Sequence, residues 1–151
     1  MRYITLLLLG SSCIWGVTPP AVVVHSAKEL AAATTKLAAK KSRFAGEDLE
    51  RYPHHYTMLA ERDATGSSEL HAHDADIFFV LSGEATLLTG GKIVNPHTIK
   101  PGEIRGTSIQ GGERQRVGKG DVIQIAAGVP HQLLVTNGEP FSYYVIKVTD
   151  Q

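Results

Sequence analysis

The sequence predicts an all-β barrel with one helix in front of it, and three observations carry that expectation. From Tyr52 onward, short apolar or alternating runs are separated by turn residues, the pattern of a barrel built from many strands. Glycine-containing pairs punctuate these runs. Gly90-Gly91 and Asn137-Gly138 tolerate the positive φ of a two-residue hairpin, and Pro101-Gly102 suits a type II turn. Residues 27–41 instead show a helical rhythm, with Leu30, Ala33, Thr34, Leu37 and Ala38 following i, i+3, i+4 and i+7.

In chain order, residues 1–26 read as an export signal. Arg2 supplies the positive start, Leu6-Leu7-Leu8-Leu9 the apolar run, and Pro19-Pro20 the break before a cleavage site ending at Ser26. The apolar run is too short to span a bilayer, so no stable membrane span is expected after processing. The expected location is therefore periplasmic or secreted, with lipid anchoring through Cys13 the lesser alternative. Cys13 is the only cysteine. Its loss with the leader excludes disulfides and thiol catalysis in the mature chain.

Residues 27–50 follow as helix and linker, with Ser26 and Glu29 spaced as a capping box. The apolar stripe suits packing on the outside of the barrel or against a partner subunit, so a homodimer is among the expectations. Residues 51–151 form the barrel domain. Candidate strands are 54–61, 68–73, 77–81, 84–88, 92–94, 114–117, 122–125, 132–136 and 141–148. Residues 95–112, rich in Gly, Pro, Ser and Thr, read as a long solvated loop or dimer contact, with a lid carrying His97 or Arg105 to an anionic substrate as the alternative.

The chemistry concentrates in Glu69-Leu70-His71-Ala72-His73-Asp74-Ala75-Asp76, which runs into the apolar Ile77-Phe78-Phe79-Val80-Leu81 and then Gly83. On a strand, Glu69, His71 and His73 project to one side, neighbouring pairs about 7 Å apart. Two such residues supply only two corners of a metal site, and the others must come from elsewhere. A further corner is His131, which follows the strand-and-turn segment from Gly120 through Gly128 and Pro130.

These two segments resemble the motifs of the cupin family, Gly-x5-His-x-His-x(3,4)-Glu-x6-Gly and Gly-x5-Pro-x-Gly-x2-His-x3-Asn. Gly120, Gly128 and His131 stand at the second motif's spacing, and Asp76 stands six residues before Gly83 in the glutamate's place. Ala126 replaces the motif's proline and Val135 its asparagine. The resemblance covers roughly residues 54–148 and implies a double-stranded β-helix, the jelly-roll type of barrel, around one divalent ion: Fe, Mn, Zn, Ni or Cu.

Two registers fit the first motif. In one, His71 and His73 are the two histidines, one residue too close to Asp76. In the other, His71 is the second histidine, the spacing to Asp76 fits, and Glu69 replaces the first. His71, Asp76 and His131 belong to both. Imidazole suits Fe, Ni, Cu and Zn, which favours His73, whereas a set with Glu69 leans towards manganese.

Other function classes find no support. Lys and Arg number 15 against 15 Asp and Glu, with no basic run interleaved with aromatics, so nucleic-acid binding is not expected. Gly118-Lys119-Gly120 lacks the third glycine of a dinucleotide fingerprint and precedes a strand. No Gly-x-Ser-x-Gly elbow occurs. His54 and His55 read as structural. Two functions follow: an exported small-molecule metalloenzyme of oxygenase, isomerase or lyase type, or a non-catalytic module that binds a small ligand.

Overall fold

The structure, a computed structural model, describes residues 20–149. The predicted leader therefore lies mostly outside the described residues, Cys13 included. The helix forms where the apolar rhythm places it, as α1 (Ala27–Ala38). Ser26 Oγ accepts the Glu29 backbone N–H at 3.2 Å, and the Ser26 N–H donates to Glu29 Oε2 at 2.9 Å. The reciprocal pair satisfies two N–H groups, one of them an amide of the first turn that no intrahelical carbonyl can reach. Leu37, 1% exposed, is pressed against Leu59 and Ala45 on the outer face of a sheet.

The segment before the helix is tied down as well. The Tyr52 hydroxyl donates to the Pro20 carbonyl at 2.9 Å, and His25 Nε2 lies 3.1 Å from Glu50 Oε2. In a chain that retains residues 20–26, Ser26→Ala is expected to cost about 1 kcal/mol, read as a lower urea midpoint at unchanged slope. An unchanged midpoint would show that docking alone holds the helix.

Two antiparallel sheets make the barrel. The first has the spatial order β1 (Phe44–Arg51), β2 (His55–Arg62), β13 (Phe141–Val148), β4 (Ala75–Ser82), β11 (Val122–Ile125). The second runs β10 (Glu113–Gly118), β5 (Glu84–Thr89), β12 (His131–Leu134), β3 (Ser68–His71), β8 (Glu103–Gly106), β7 (His97–Lys100). Two short strands, β6 (Lys92–Val94) and β9 (Ser108–Gln110), pair with each other. Between the large sheets lies a core that includes Phe78, Val80, Leu87, Ile123, Leu133 and Phe141.

Several segments depart from the sequence expectation. Residues 44–50, expected as linker, form β1 together with Arg51, because pairing with β2 overrides the weak strand preference of Gly46, Glu47 and Asp48. Within residues 95–112, expected as a loop, β7 and β8 form a hairpin that widens the second sheet, closed at Pro101-Gly102 with Gly102 at φ 78°. Gly90-Gly91 closes no hairpin, since β5 pairs with β10 and β12 while β6 pairs with β9. Asn137-Gly138 likewise carries the chain from one sheet to the other.

Strand register grades the interior from apolar to polar. Along β4 the inward residues are Val80, Phe78 and Asp76, and along β13 they are Phe141, Tyr143, Val145 and Lys147. The two strands are antiparallel with Lys147 opposite Asp76, so both polar ends meet at one end of the barrel.

Candidate metal centre and cavity

Cross-strand pairing assembles the polar end. β3 lies between β12 and β8, and its register sets His131 opposite Glu69, Glu103 opposite His71, and Arg105 opposite Glu69. Glu69 and His71 are two apart on β3 and Glu103 and Arg105 two apart on β8, so strand alternation sends each pair inward together. One ligand oxygen of Glu69 and one imidazole nitrogen each of His71 and His131 lie within 4.8 Å of one another. Asp76 Oδ2 is 3.3 Å from His71 Nε2 and 3.5 Å from His131 Nε2, and Glu69 Oε2 is 3.6 Å from His71 Nε2.

These donors fit a divalent transition ion. Ligand atoms bonded to one ion at about 2.1 Å stand about 3.4 Å apart in a tetrahedral arrangement, close to the separations found here. Both imidazoles are oriented from behind. His71 Nδ1 is 2.6 Å from Glu103 Oε2, and His131 Nδ1 donates to the Val129 carbonyl at 3.0 Å. With Nδ1 so occupied, Nε2 is the nitrogen turned to the centre in each ring. The His71 Nε2 is buried and makes no aligned hydrogen bond, which costs stability unless a proton shared with the carboxylates, or an ion, occupies the space in front of it.

Both carboxylates also face cations: Asp76 divides its oxygens between the centre and Lys147, whereas the Glu69 Oε2 that faces His71 is shared with Arg105. Asp76 turns Oδ2 to the imidazoles, while Lys147 Nζ lies 2.7 Å from Oδ1. Arg105 Nη1 lies 2.9 Å from Glu69 Oε2, and Arg62 Nη2 lies 3.3 Å from Oε1. Arg62 Nε also donates to the Tyr143 hydroxyl at 2.9 Å. Burial pushes Glu69 up, but His71, Arg105 and Arg62 outweigh it and hold the carboxyl down at about 2. Burial also pushes His71 down, yet Asp76 and Glu69 raise it to about 9. His131 is lowered, burial prevailing over the Val129 carbonyl and Glu69. Without an ion, therefore, His71 carries a proton at neutral pH and His131 does not.

His73 is placed elsewhere. The strand ends at His71, the chain bends at Ala72-His73, and the His73 side chain is exposed beside Gly102. The bend takes His73 out of the phase that an unbroken strand over 68–73 would have given it, so Glu69, not His73, joins His71, Asp76 and His131. His97 is exposed on β7, and His55 stacks on Tyr52 with ring centroids 4.7 Å apart, away from the centre. Glu103, Arg62 and Lys147 were not singled out from sequence. Lys147 had a signal: it continues the inward phase of Tyr143 and Val145.

A cavity of about 570 Å³ opens beside the centre, reached by Glu69, His71 and Asp76. The inner face of β2 forms one wall with Tyr56, Met58, Ala60 and Arg62. Burial drives the Tyr56 phenol up to about 12, so it remains an O–H donor across the physiological range.

No family model and no curated protein matches the sequence. Solved structures do resemble the fold. A Klebsiella pneumoniae protein with a double-stranded β-helix domain superposes with a TM-score of 0.58 at 15% identity, over 85% of this chain and 90% of that one. The cupin domain of Schizosaccharomyces pombe Cnp3 gives 0.55 at 14% identity, over 72% of this chain and 66% of that one. The Ruegeria pomeroyi DMSP lyase DddQ gives 0.52 at 21% identity, over 75% of this chain and 50% of that one. Identities this low speak for the fold alone, and that fold, two antiparallel sheets closed into a double-stranded β-helix, is the one that cupin domains share.

Proposed function

We propose that this chain holds one divalent ion on Glu69, His71, Asp76 and His131 and acts on a small organic molecule received in the adjoining cavity. The observation that carries the reading is the buried Nε2 of His71, aimed at three other donors while Glu103 fixes the ring from behind. Two carboxylates with two imidazoles form a hard to borderline donor set, which suits manganese or ferrous iron. Such an ion supplies Lewis-acid polarisation of a substrate oxygen.

The chain's own groups do the rest. Arg62, Arg105 and Lys147 fix the carboxylates, Tyr56 offers an O–H donor, and Met58, Phe78 and Val145 exclude water from one side of the cavity. Open space beside the donors, rather than a closed shell, supports turnover over a purely structural ion. A lyase among proteins of similar fold is compatible with this reading. An export signal such as the sequence of this region suggests would place that action outside the cytoplasm. The use of His25 and Ser26 in the fold favours removal upstream of His25.

Element analysis of the purified chain is expected to find one ion per chain. Chelation is expected to lower the melting temperature, because the four donors meet only in the native state. A chain that retains no manganese, iron or zinc after loading would overturn the proposal. Full loading without turnover of any small oxygen-bearing molecule screened would instead favour a binding module.

A further inference from the structure

The cavity carries more positive charge than its centre uses. Five cations line it, Arg43, Arg62, Lys100, Arg105 and Lys147, against three carboxylates, Glu69, Asp76 and Glu103. The inner cations are accounted for: Arg62 and Arg105 face Glu69, and Lys147 faces Asp76. Arg43 and Lys100 pair with no carboxylate among the described residues. Arg43 Nη2 only donates to the Thr65 carbonyl at 3.1 Å. In a chain with formal net charge +0, this unpaired surplus at one cavity favours an anion.

Its position is specific. Arg43 immediately precedes β1, the edge of one sheet, and Lys100 ends β7, the edge of the other. Both are exposed and both line the cavity, so they mark its mouth. Each has an apolar neighbour in sequence that also lines the cavity and is unusually open for its type: Phe44 is 43% exposed and Ile99 54%. Each rim thus presents one cation and one exposed apolar side chain, the Phe44 ring lying under the Arg62 guanidinium at 4.7 Å. Met58 continues the apolar surface inward towards His71 and Asp76. Exposed apolar groups that converge on a cavity, with a few charged groups to orient the guest, are what a small-molecule site requires.

We propose that the cavity takes an elongated organic anion. Its charged group rests on Arg43 and Lys100, its apolar body runs along Phe44, Ile99 and Met58, and its far end reaches the Glu69, His71, Asp76 and His131 group. The last clause rests on the reading of that group as the reactive centre. The anchoring at the mouth does not.

The test is calorimetric titration of the full chain, metal-free and manganese-loaded, with hexanoate, hexyl phosphate and hexanamide. At least one of the two anions is expected to bind roughly tenfold tighter than the amide, a difference of about 1.4 kcal/mol, and to lose that advantage as salt rises from low to physiological strength. Whichever anion binds tighter distinguishes a carboxylate from a phosphate guest. In the double variant Arg43→Gln, Lys100→Gln, anion affinity is expected to fall roughly tenfold to the amide's level, with amide binding and metal content unchanged. Anions binding no better than the amide, or a double variant that keeps the preference, overturns the proposal. Anion preference in a chain that takes up no metal leaves this proposal standing and removes the metal reading; metal uptake without anion preference does the reverse.

Discussion

Glu69→Gln and His71→Ala are each expected to strip the chain of metal, while His73→Ala leaves occupancy at the wild-type level, as measured by element analysis after gel filtration. The asymmetry follows from β3 ending at His71. Glu69 and His71 share the inward face of β3, whereas His73 lies beyond the bend with its ring exposed. His131→Ala is expected to behave like His71→Ala, since both Nε2 atoms face Asp76 Oδ2. Asp76→Asn is expected to weaken binding less, because Asp76 is one methylene shorter than a glutamate and has Lys147 on its other oxygen. Glu103→Gln keeps an acceptor for His71 Nδ1 but loses the charge behind the ring, and about a 10–100-fold loss of affinity is expected. The ranking excludes His73: full metal loss in His73→Ala with retention in Glu69→Gln would reverse the assignment. Circular dichroism of each variant separates ligand loss from unfolding.

The barrel was legible because its signals are local. Alternation in Tyr143-Tyr144-Val145-Ile146-Lys147, the turn at Pro101-Gly102 and the spacing from His71 to Asp76 to Gly83 each survive in the structure. The centre was legible down to His71, Asp76 and His131, which the structure brings together with Glu69. The choice between Glu69 and His73 was not, because it depends on where β3 stops. That point is set by contacts from distant residues: Gly128 N–H donates to the His71 carbonyl at 2.7 Å, and Ala72 N–H to the Gly102 carbonyl at 2.7 Å. Glu103 was hidden, and Arg105 legible only as part of a possible lid, for a related reason. Their segment has the composition of a loop, and only pairing with β3 and β7 makes it a strand whose alternate residues face the centre. Composition reports local preference, and here a non-local ladder decided the outcome.

The metal-free chain is expected to lose stability as pH rises through the range that His71 titrates. Its imidazole is buried, which alone would depress its pKa. Asp76 Oδ2 at 3.3 Å and Glu69 Oε2 at 3.6 Å raise it to about 9 from the ordinary histidine value of 6.5, with Lys147 opposing. A group whose pKa is higher in the folded state binds its proton more tightly there, so the proton stabilises the fold. That contribution is fully present below about 6.5 and disappears as pH climbs through about 9. At about 1.4 kcal/mol per unit, the shift amounts to about 3 kcal/mol. Glu69, held at about 2 against an ordinary value of 4.5, has the opposite sign: its contribution is present above 4.5 and lost as pH falls through about 2. Both shifts include the one His71–Glu69 interaction and do not add. The metal-free chain should therefore be most stable between about pH 4.5 and 6.5, its urea midpoint declining from there to pH 9. Metal uptake must displace the His71 proton, so apparent affinity should rise about tenfold per pH unit over the same interval, and the loaded chain should lose the alkaline decline. A metal-free midpoint that stays level from pH 6 to 9 would show that His71 carries no proton there, and that the anionic wall of Glu69 and Asp76 does not govern the centre.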